Sequence, residues 1–237
     1  MLRRATRFLA LTSASASAKR TITIDCYYSL SSPWMYLGGD RLNAILHRHA
    51  DTCRLVLKPY DFQLIAPKTG GVPLRTRPEA RKSYHALELE RWSEFLGVPL
   101  NLQPKHYKPN VVAAPDPNWN KFAGWMVIAA QNDGVDDSTV RALSHALLRA
   151  LWAEERDIAD PAVRAAIADG VGLDGGKLVE LETSPETAAA YAQYTAEAEA
   201  KGVFGAPTFV VDDERFWGQD RLQFLERKIE QLSSGEQ

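Results

Sequence analysis

Ser31-Ser32-Pro33-Trp34 holds two hydroxyls at the junction between a strand-like run and a helix-like one. At such a junction free backbone N–H groups and the positive end of a helix dipole point outward and favour an anion. A serine hydroxyl placed there donates to a thiolate and lowers the pKa of that thiol. Ser-Ser-Pro is equally an N-cap followed by proline at the first helical position, which is a structural role only. Gly205-Ala206-Pro207-Thr208 leads into a second apolar run. A cis Ala206–Pro207 bond would turn the Ala206 N–H and C=O toward the Ser32 loop and offer strand-like pairing to a bound peptide, whereas a trans proline would sit at a strand edge. Trp217-Gly218-Gln219-Asp220-Arg221 enters the last helical run. Its N–H groups suit a carboxylate and the Asp220 side chain an ammonium, the two ends of an α-amino acid, although Asp220 as cap and Arg221 as solvated charge is the plain alternative.

The elements that must hold these residues follow from periodicity. Thr21 to Tyr28 alternates, with Ile22, Ile24, Cys26 and Tyr28 on one face, which predicts a strand with Cys26 in the core. Trp34, Leu37, Leu42, Ile45 and Leu46 recur at helical spacing to about His49, and Leu55 to Tyr60 is a second strand. Pro67 to Pro78 is a loop rich in Gly, Pro and basic residues. Arg75, Arg77, Arg81 and Lys82, within and just after it, form a solvated edge, one of whose members could meet a ligand carboxylate. Helices are expected near residues 79–96, 119–132, 138–153, 161–169 and 185–201, with turns at Gly97, Asn132-Asp133-Gly134 and Gly170 to Gly176. Then come a strand over Pro207–Val211, a turn at Asp212-Asp213-Glu214, a return strand over Arg215–Trp217, and a helix from Asp220 carrying Leu222, Leu225, Ile229 and Leu232 on one face. The order is β-α-β, a helical insertion, then β-β-α, an α/β arrangement of thioredoxin type. The expected division is a thioredoxin-like domain from residues 21–70 and 202–233, interrupted by a helical insertion at 71–201.

Composition narrows the rest. The 237 residues carry 28 Lys+Arg against 30 Asp+Glu, a formal net charge of -2, which leaves no electrostatic footprint for nucleic acid. Two cysteines, Cys26 and Cys53, make neither a disulfide scaffold nor a zinc site, and they form no C-x-x-C. His47 and His49 are two apart on a helix and do not face each other, so no metal is expected. No apolar run reaches the ~18 residues of a membrane span, so no membrane partner is expected. Residues 1–20 hold Arg3, Arg4, Arg7, Lys19 and Arg20 with no carboxylate in an Ala/Ser-rich stretch. That pattern reads as a mitochondrial transit peptide; a secretory signal is the main rival, and a cytoplasmic or peroxisomal location is the alternative.

Taken together, Ser31 to Gly38, Gly202 to Phe209 and Trp217 to Arg221, in this order around a helical insertion, resemble the kappa-class glutathione transferases and the related 2-hydroxychromene-2-carboxylate isomerases. Both belong to the DsbA-like branch of the thioredoxin fold, and the resemblance runs from about Thr21 to Leu232. It implies that Ser32 is the catalytic serine that activates the glutathione sulfur, flanked by Pro33 and Trp34 in the glutathione site. It implies that Ala206, before Pro207, pairs with the cysteinyl part, and that Gln219 and Asp220 bind the γ-glutamyl end. Ser32 stands where disulfide oxidoreductases of this fold carry their nucleophilic cysteine, so dithiol exchange is not expected. One departure is visible: the family's Gly-Asn-x-Pro loop is here Thr69-Gly70-Gly71-Val72-Pro73, and Gly71 has no side chain to offer. The expectation is a kappa-type transferase, most often a homodimer, that joins glutathione to a small hydrophobic electrophile in detoxification. A glutathione-dependent isomerase and a non-catalytic thioredoxin-like binding module are the alternatives.

Overall fold

The computed structural model describes residues 21–72, 74–107 and 120–235. The basic N-terminal segment read as a targeting sequence lies outside them, as does Pro73.

Strand β1 (Ile22–Tyr28) leads to helix α1 (Pro33–Arg48), which returns to β2 (Cys53–Pro59). Near the C-terminus β3 (Thr208–Val211) and β4 (Glu214–Trp217) precede α9 (Leu222–Ser234). The sheet order is β2-β1-β3-β4, with β1 and β2 parallel and β3 antiparallel to both β1 and β4. Cys26 is fully buried opposite Leu57 and Phe209, as the alternation predicts. Asp212 and Asp213 both take positive φ, 51° and 65°. A two-residue turn of that hand matches the strand twist, and Glu214 therefore opens β4 rather than closing the turn.

Between the halves lie α2 (Phe62–Ile65), α3 (Glu79–Leu96), α4 (Lys121–Asn132), α5 (Asp137–Trp152), α6 (Pro161–Gly170), α7 (Gly175–Leu181) and α8 (Pro185–Ala200). Ser184 caps α8 by accepting from Thr187 N, with Pro185 behind it. One face of the sheet joins α1, α5 and α9 in a continuous core through Leu42, Leu143 and Leu225. The other face meets α8 at Tyr27, Val210 and Ala198. There Lys58 Nζ lies 2.7 Å from Glu197 Oε2 and 3.1 Å from Asp25 Oδ2. Burial would lower the Lys58 pKa, yet its bonds to Glu197 and Asp25 outweigh that and hold it above the usual lysine value.

Helix α7 begins inside the stretch from Gly170 to Gly176 that by composition is a turn. Asp174 caps it, accepting from Lys177 N at 2.9 Å. Gly175 is needed for packing: a Cβ there would stand 2.1 Å from the Ala165 carbonyl oxygen of α6. Alanine is the better helix former by up to ~1 kcal/mol, whereas a backbone overlap of this kind typically costs about 1–3 kcal/mol. The clash decides the sign. Gly175→Ala is expected to lower the urea midpoint without changing the slope of the unfolding transition; an unchanged or raised midpoint would show that α6 and α7 separate freely.

Candidate active site

Ser32 closes the loop after β1 and caps α1. Its extended backbone (φ −85°, ψ 112°) lets Oγ accept from Met35 N at 3.3 Å, and Pro33 takes the first helical position. The capping role is real, and it is not the only one. The Ser32 hydroxyl also donates to the Ala206 carbonyl at 3.1 Å, 174 residues away in sequence. The Ala206–Pro207 peptide is cis. Pro207 itself is buried behind the Ala206 turn, with its carbonyl accepting from Gly218 N at 2.9 Å.

The third motif sits beside them but divides its labour. Asp220 is accessible, its carboxylate 2.6 Å from Arg221 Nη1. Gln219 is buried against α1: its Oε1 accepts from Arg41 Nη1 at 2.9 Å, and a Cβ on Gly38 would come within 2.7 Å of the Gln219 Cβ. Gln219 Nε2 has no hydrogen-bond partner among the described residues. Of the two residues, Asp220 is the one whose side chain is open to a ligand, with the Arg221 guanidinium paired to it.

All three motifs open onto one cavity of about 970 Å³. Ser32, Trp34, Ala206, Gln219 and Asp220 form its thioredoxin-like wall, while Arg77, Arg81, Tyr84, His85, Trp92 and Tyr107 face them from the insertion. Trp34 meets His85 edge to face with ring centroids 5.6 Å apart. Burial, and secondarily the Arg77 charge, lower the His85 pKa, so this ring is neutral near pH 7. Arg77 is anchored by Nε donating to Val72 O at 2.8 Å. By sequence Arg77 and Arg81 belong to a solvated loop edge; in the structure both reach the cavity wall. Lys82 instead pairs with Glu79 at 2.7 Å.

Gly71 also borders the cavity, tied by its N–H to Ala66 O at 2.7 Å. A Cβ at this position would lie 2.9 Å from both the Ala66 oxygen and the Ala66 Cβ. The loop is closed too tightly for an asparagine, so any anchoring here comes from the neighbouring side chains.

Cys26 and Cys53 are buried free thiols. Burial pushes both above the usual cysteine value, the opposite of what thiol exchange requires. His49, Glu226 and Glu230 do approach one another within 4.8 Å, but Arg48 Nη2 already sits 2.7 Å from Glu226 Oε1 and neutralises that carboxylate. The chemistry on offer is therefore a hydroxyl and a helix N-terminus facing a backbone carbonyl, beside a carboxylate and under an aromatic and cationic roof.

Sequence reasoning finds the three motifs and misses Arg41, Tyr84, His85 and Asn120. Nothing in their local spacing marks them, because each acts across the fold.

Comparison with known proteins concerns the fold and the family. A model of the DSBA-like thioredoxin domain matches residues 23–230. The 2-hydroxychromene-2-carboxylate isomerase of Sphingobium xenophagum is 32% identical over 207 residues, covering 87% of this chain and 97% of the relative. That of Pseudomonas putida is 25% identical, covering 88% and 95%. A solved structure of a 2-hydroxychromene-2-carboxylate isomerase superposes with a TM-score of 0.69 at 23% identity, covering 89% of this chain and 95% of that one.

Proposed function

The chain belongs to the family of DSBA-like thioredoxin domains, and from that premise we propose that it is a glutathione-dependent isomerase of the 2-hydroxychromene-2-carboxylate isomerase kind, with Ser32 holding the glutathione thiol as a thiolate. The observation that carries the reading is the hydroxyl of Ser32, 3.1 Å from the Ala206 carbonyl at the wall of the large cavity. A serine has one proton to give. With no ligand bound that proton goes to Ala206. A peptide-like ligand whose backbone N–H takes the Ala206 carbonyl leaves the Ser32 proton for its own sulfur, so binding and activation are one event. Met35 N and the start of α1 add positive potential on the same side. Asp220, at the same wall, would take the ammonium of the γ-glutamyl end.

The reaction then follows from the substrate class. A 2-hydroxychromene-2-carboxylate is a cyclic hemiketal, and its open form is a 2-oxo acid conjugated with an alkene. The thiolate forms a C–S bond at the alkene, the π electrons pass to the carbonyl oxygen, and the former double bond rotates. The enolate then restores the carbonyl and expels the thiolate, so glutathione is regenerated. Arg77 and Arg81 supply cations for the carboxylate, and Trp34 and Tyr84 supply flat apolar surface for the ring. A kappa-type transferase would use the same thiolate and differ only in keeping the adduct.

Two measurements test the reading. Ultraviolet absorbance of the thiolate against pH should give bound glutathione a pKa below the ~8.5 of a free thiol. Incubation with 2-hydroxychromene-2-carboxylate should interconvert the isomers at constant glutathione concentration. Glutathione consumed in step with product would select the transferase reading. Failure to bind glutathione would select the non-catalytic binding module.

A further inference from the structure

The two serines at the start of α1 are tied to opposite sides of the site. Ser32 Oγ turns to Ala206, on the sheet side where a peptide-like thiol would pair. Ser31 Oγ instead lies 2.9 Å from Ser29 Oγ, which is 3.0 Å from Nδ2 of Asn120 at the start of α4 in the insertion. A hydrogen count fixes the direction of this chain. A serine oxygen has two lone pairs and one proton. Both lone pairs of Ser29 are engaged, one by Asn120 Nδ2–H and one by the Ser31 backbone N–H at 3.3 Å. Its own proton is therefore left for Ser31 Oγ. Ser31 accepts from Ser29, and the Ser31 proton finds no acceptor among the described residues. Ser31 is half-buried in the cavity wall, as are Ser29 and Asn120.

We propose that Ser31 is a second catalytic hydroxyl of this site, one that donates to the substrate oxygen on which negative charge develops when the thiolate adds. The proposal rests on the thiol-addition reading above. As the C–S bond forms and electrons pass to that oxygen, Ser31 stabilises the enolate by hydrogen bonding; no proton leaves Ser31, and expulsion of the thiolate reverses the electron flow. Such a donor acts on charge present only along the reaction path, and so raises kcat rather than affinity. Asn120 and Ser29 are positioning residues: each donates inward along the chain, which polarises the next hydroxyl toward the cavity.

The test uses the full chain and the variants Ser31→Ala, Ser31→Thr and Asn120→Asp. An aspartate at 120 only accepts, so it draws the Ser29 proton outward, and Ser29 then accepts from Ser31; the free donor is lost while every side chain stays in place. Three quantities are read: kcat with 2-hydroxychromene-2-carboxylate, the pKa of bound glutathione, and, with no turnover at all, the pKa of 4-nitrophenol bound in the cavity as an oxyanion probe. Ser31→Ala is expected to lower kcat ~100-fold and to raise the bound nitrophenol pKa, leaving the thiol pKa unchanged; Asn120→Asp should also lower kcat and raise the nitrophenol pKa, its added negative charge raising the thiol pKa as well. Ser31→Thr, which keeps the hydroxyl, should recover much of the kcat and of the nitrophenol shift that Ser31→Ala loses. A kcat and nitrophenol pKa indifferent to Ser31→Ala would overturn the proposal. A shift of the thiol pKa in Ser31→Ala would also overturn it, since the hydroxyl would then serve the sulfur. If the unaltered protein leaves the chromene untouched but depresses the nitrophenol pKa through Ser31, the isomerase reading fails and the oxyanion donor stands. Nitrophenol that does not bind, or titrates as it does in water, sinks the donor itself.

Discussion

Ser32→Ala is expected to keep the fold and lose ~10²–10³ in kcat, because the variant removes one hydroxyl with two separable duties. The capping duty is small: loss of the bond from Met35 N typically destabilises by about 1 kcal/mol. The activating duty is larger. A hydrogen bond to a charged acceptor contributes about 1.5–3 kcal/mol, and each pKa unit corresponds to 1.36 kcal/mol, so the bound thiol should become less acidic by roughly one to two units. Thermal unfolding and thiolate absorbance, measured on one sample, separate the two. A large drop in stability with an unshifted thiol pKa would make Ser32 a cap alone.

Ser32→Cys sharpens the result. A thiol at the α1 N-terminus should be acidic and, with oxidised glutathione, attack the disulfide, form a mixed disulfide between the introduced sulfur and one glutathione, and release the other glutathione as a thiolate. Mass spectrometry would detect the adduct. Its absence in a folded variant would mean that position 32 does not face the glutathione sulfur.

Much of this site is legible because its motifs constrain the backbone locally. Ser-Pro at a helix start, Ala-Pro before a strand and Gly-Gln-Asp before a helix each determine where a few N–H and C=O groups point. The alternation from Ile22 to Tyr28 and the spacing from Trp34 to Leu46 bring Ser32 and Ala206 to one end of one sheet. What escapes notice is set by distance or by a face without a stripe. Arg41 reaches Gln219 across 178 positions and Asn120 reaches Ser29 across 91, and no local period records either contact. Helix α3 buries only Leu89, while Tyr84, Leu87 and Phe95 stay exposed, because much of its surface faces the cavity and solvent rather than the core. Gly175 looks like a turn residue by type, yet it is a packing requirement imposed by Ala165.

The largest stability loss is expected from Glu182→Gln, far from the chemistry. Arg164 and Glu182 are a buried pair at the junction of α6 and α7: Arg164 Nε donates to Glu182 Oε2 at 3.0 Å, Nη2 donates to Oε1, and Nη1 donates to the Ile158 carbonyl at 2.9 Å. Both side chains are nearly inaccessible, 3% and 2% exposed. Burial pushes the Glu182 carboxyl up, and the Arg164 guanidinium pulls it back. Glutamine keeps the size and one acceptor but leaves the guanidinium charge unpaired, a change that destabilises by about 3–5 kcal/mol for a buried pair. Removing both charges is a different experiment. Arg164→Met with Glu182→Leu leaves no buried ion, and should recover most of the loss seen in the single variant. A double variant no more stable than the single would mean that the guanidinium bond to Ile158, and not the charge pair, holds α6 against the segment before it.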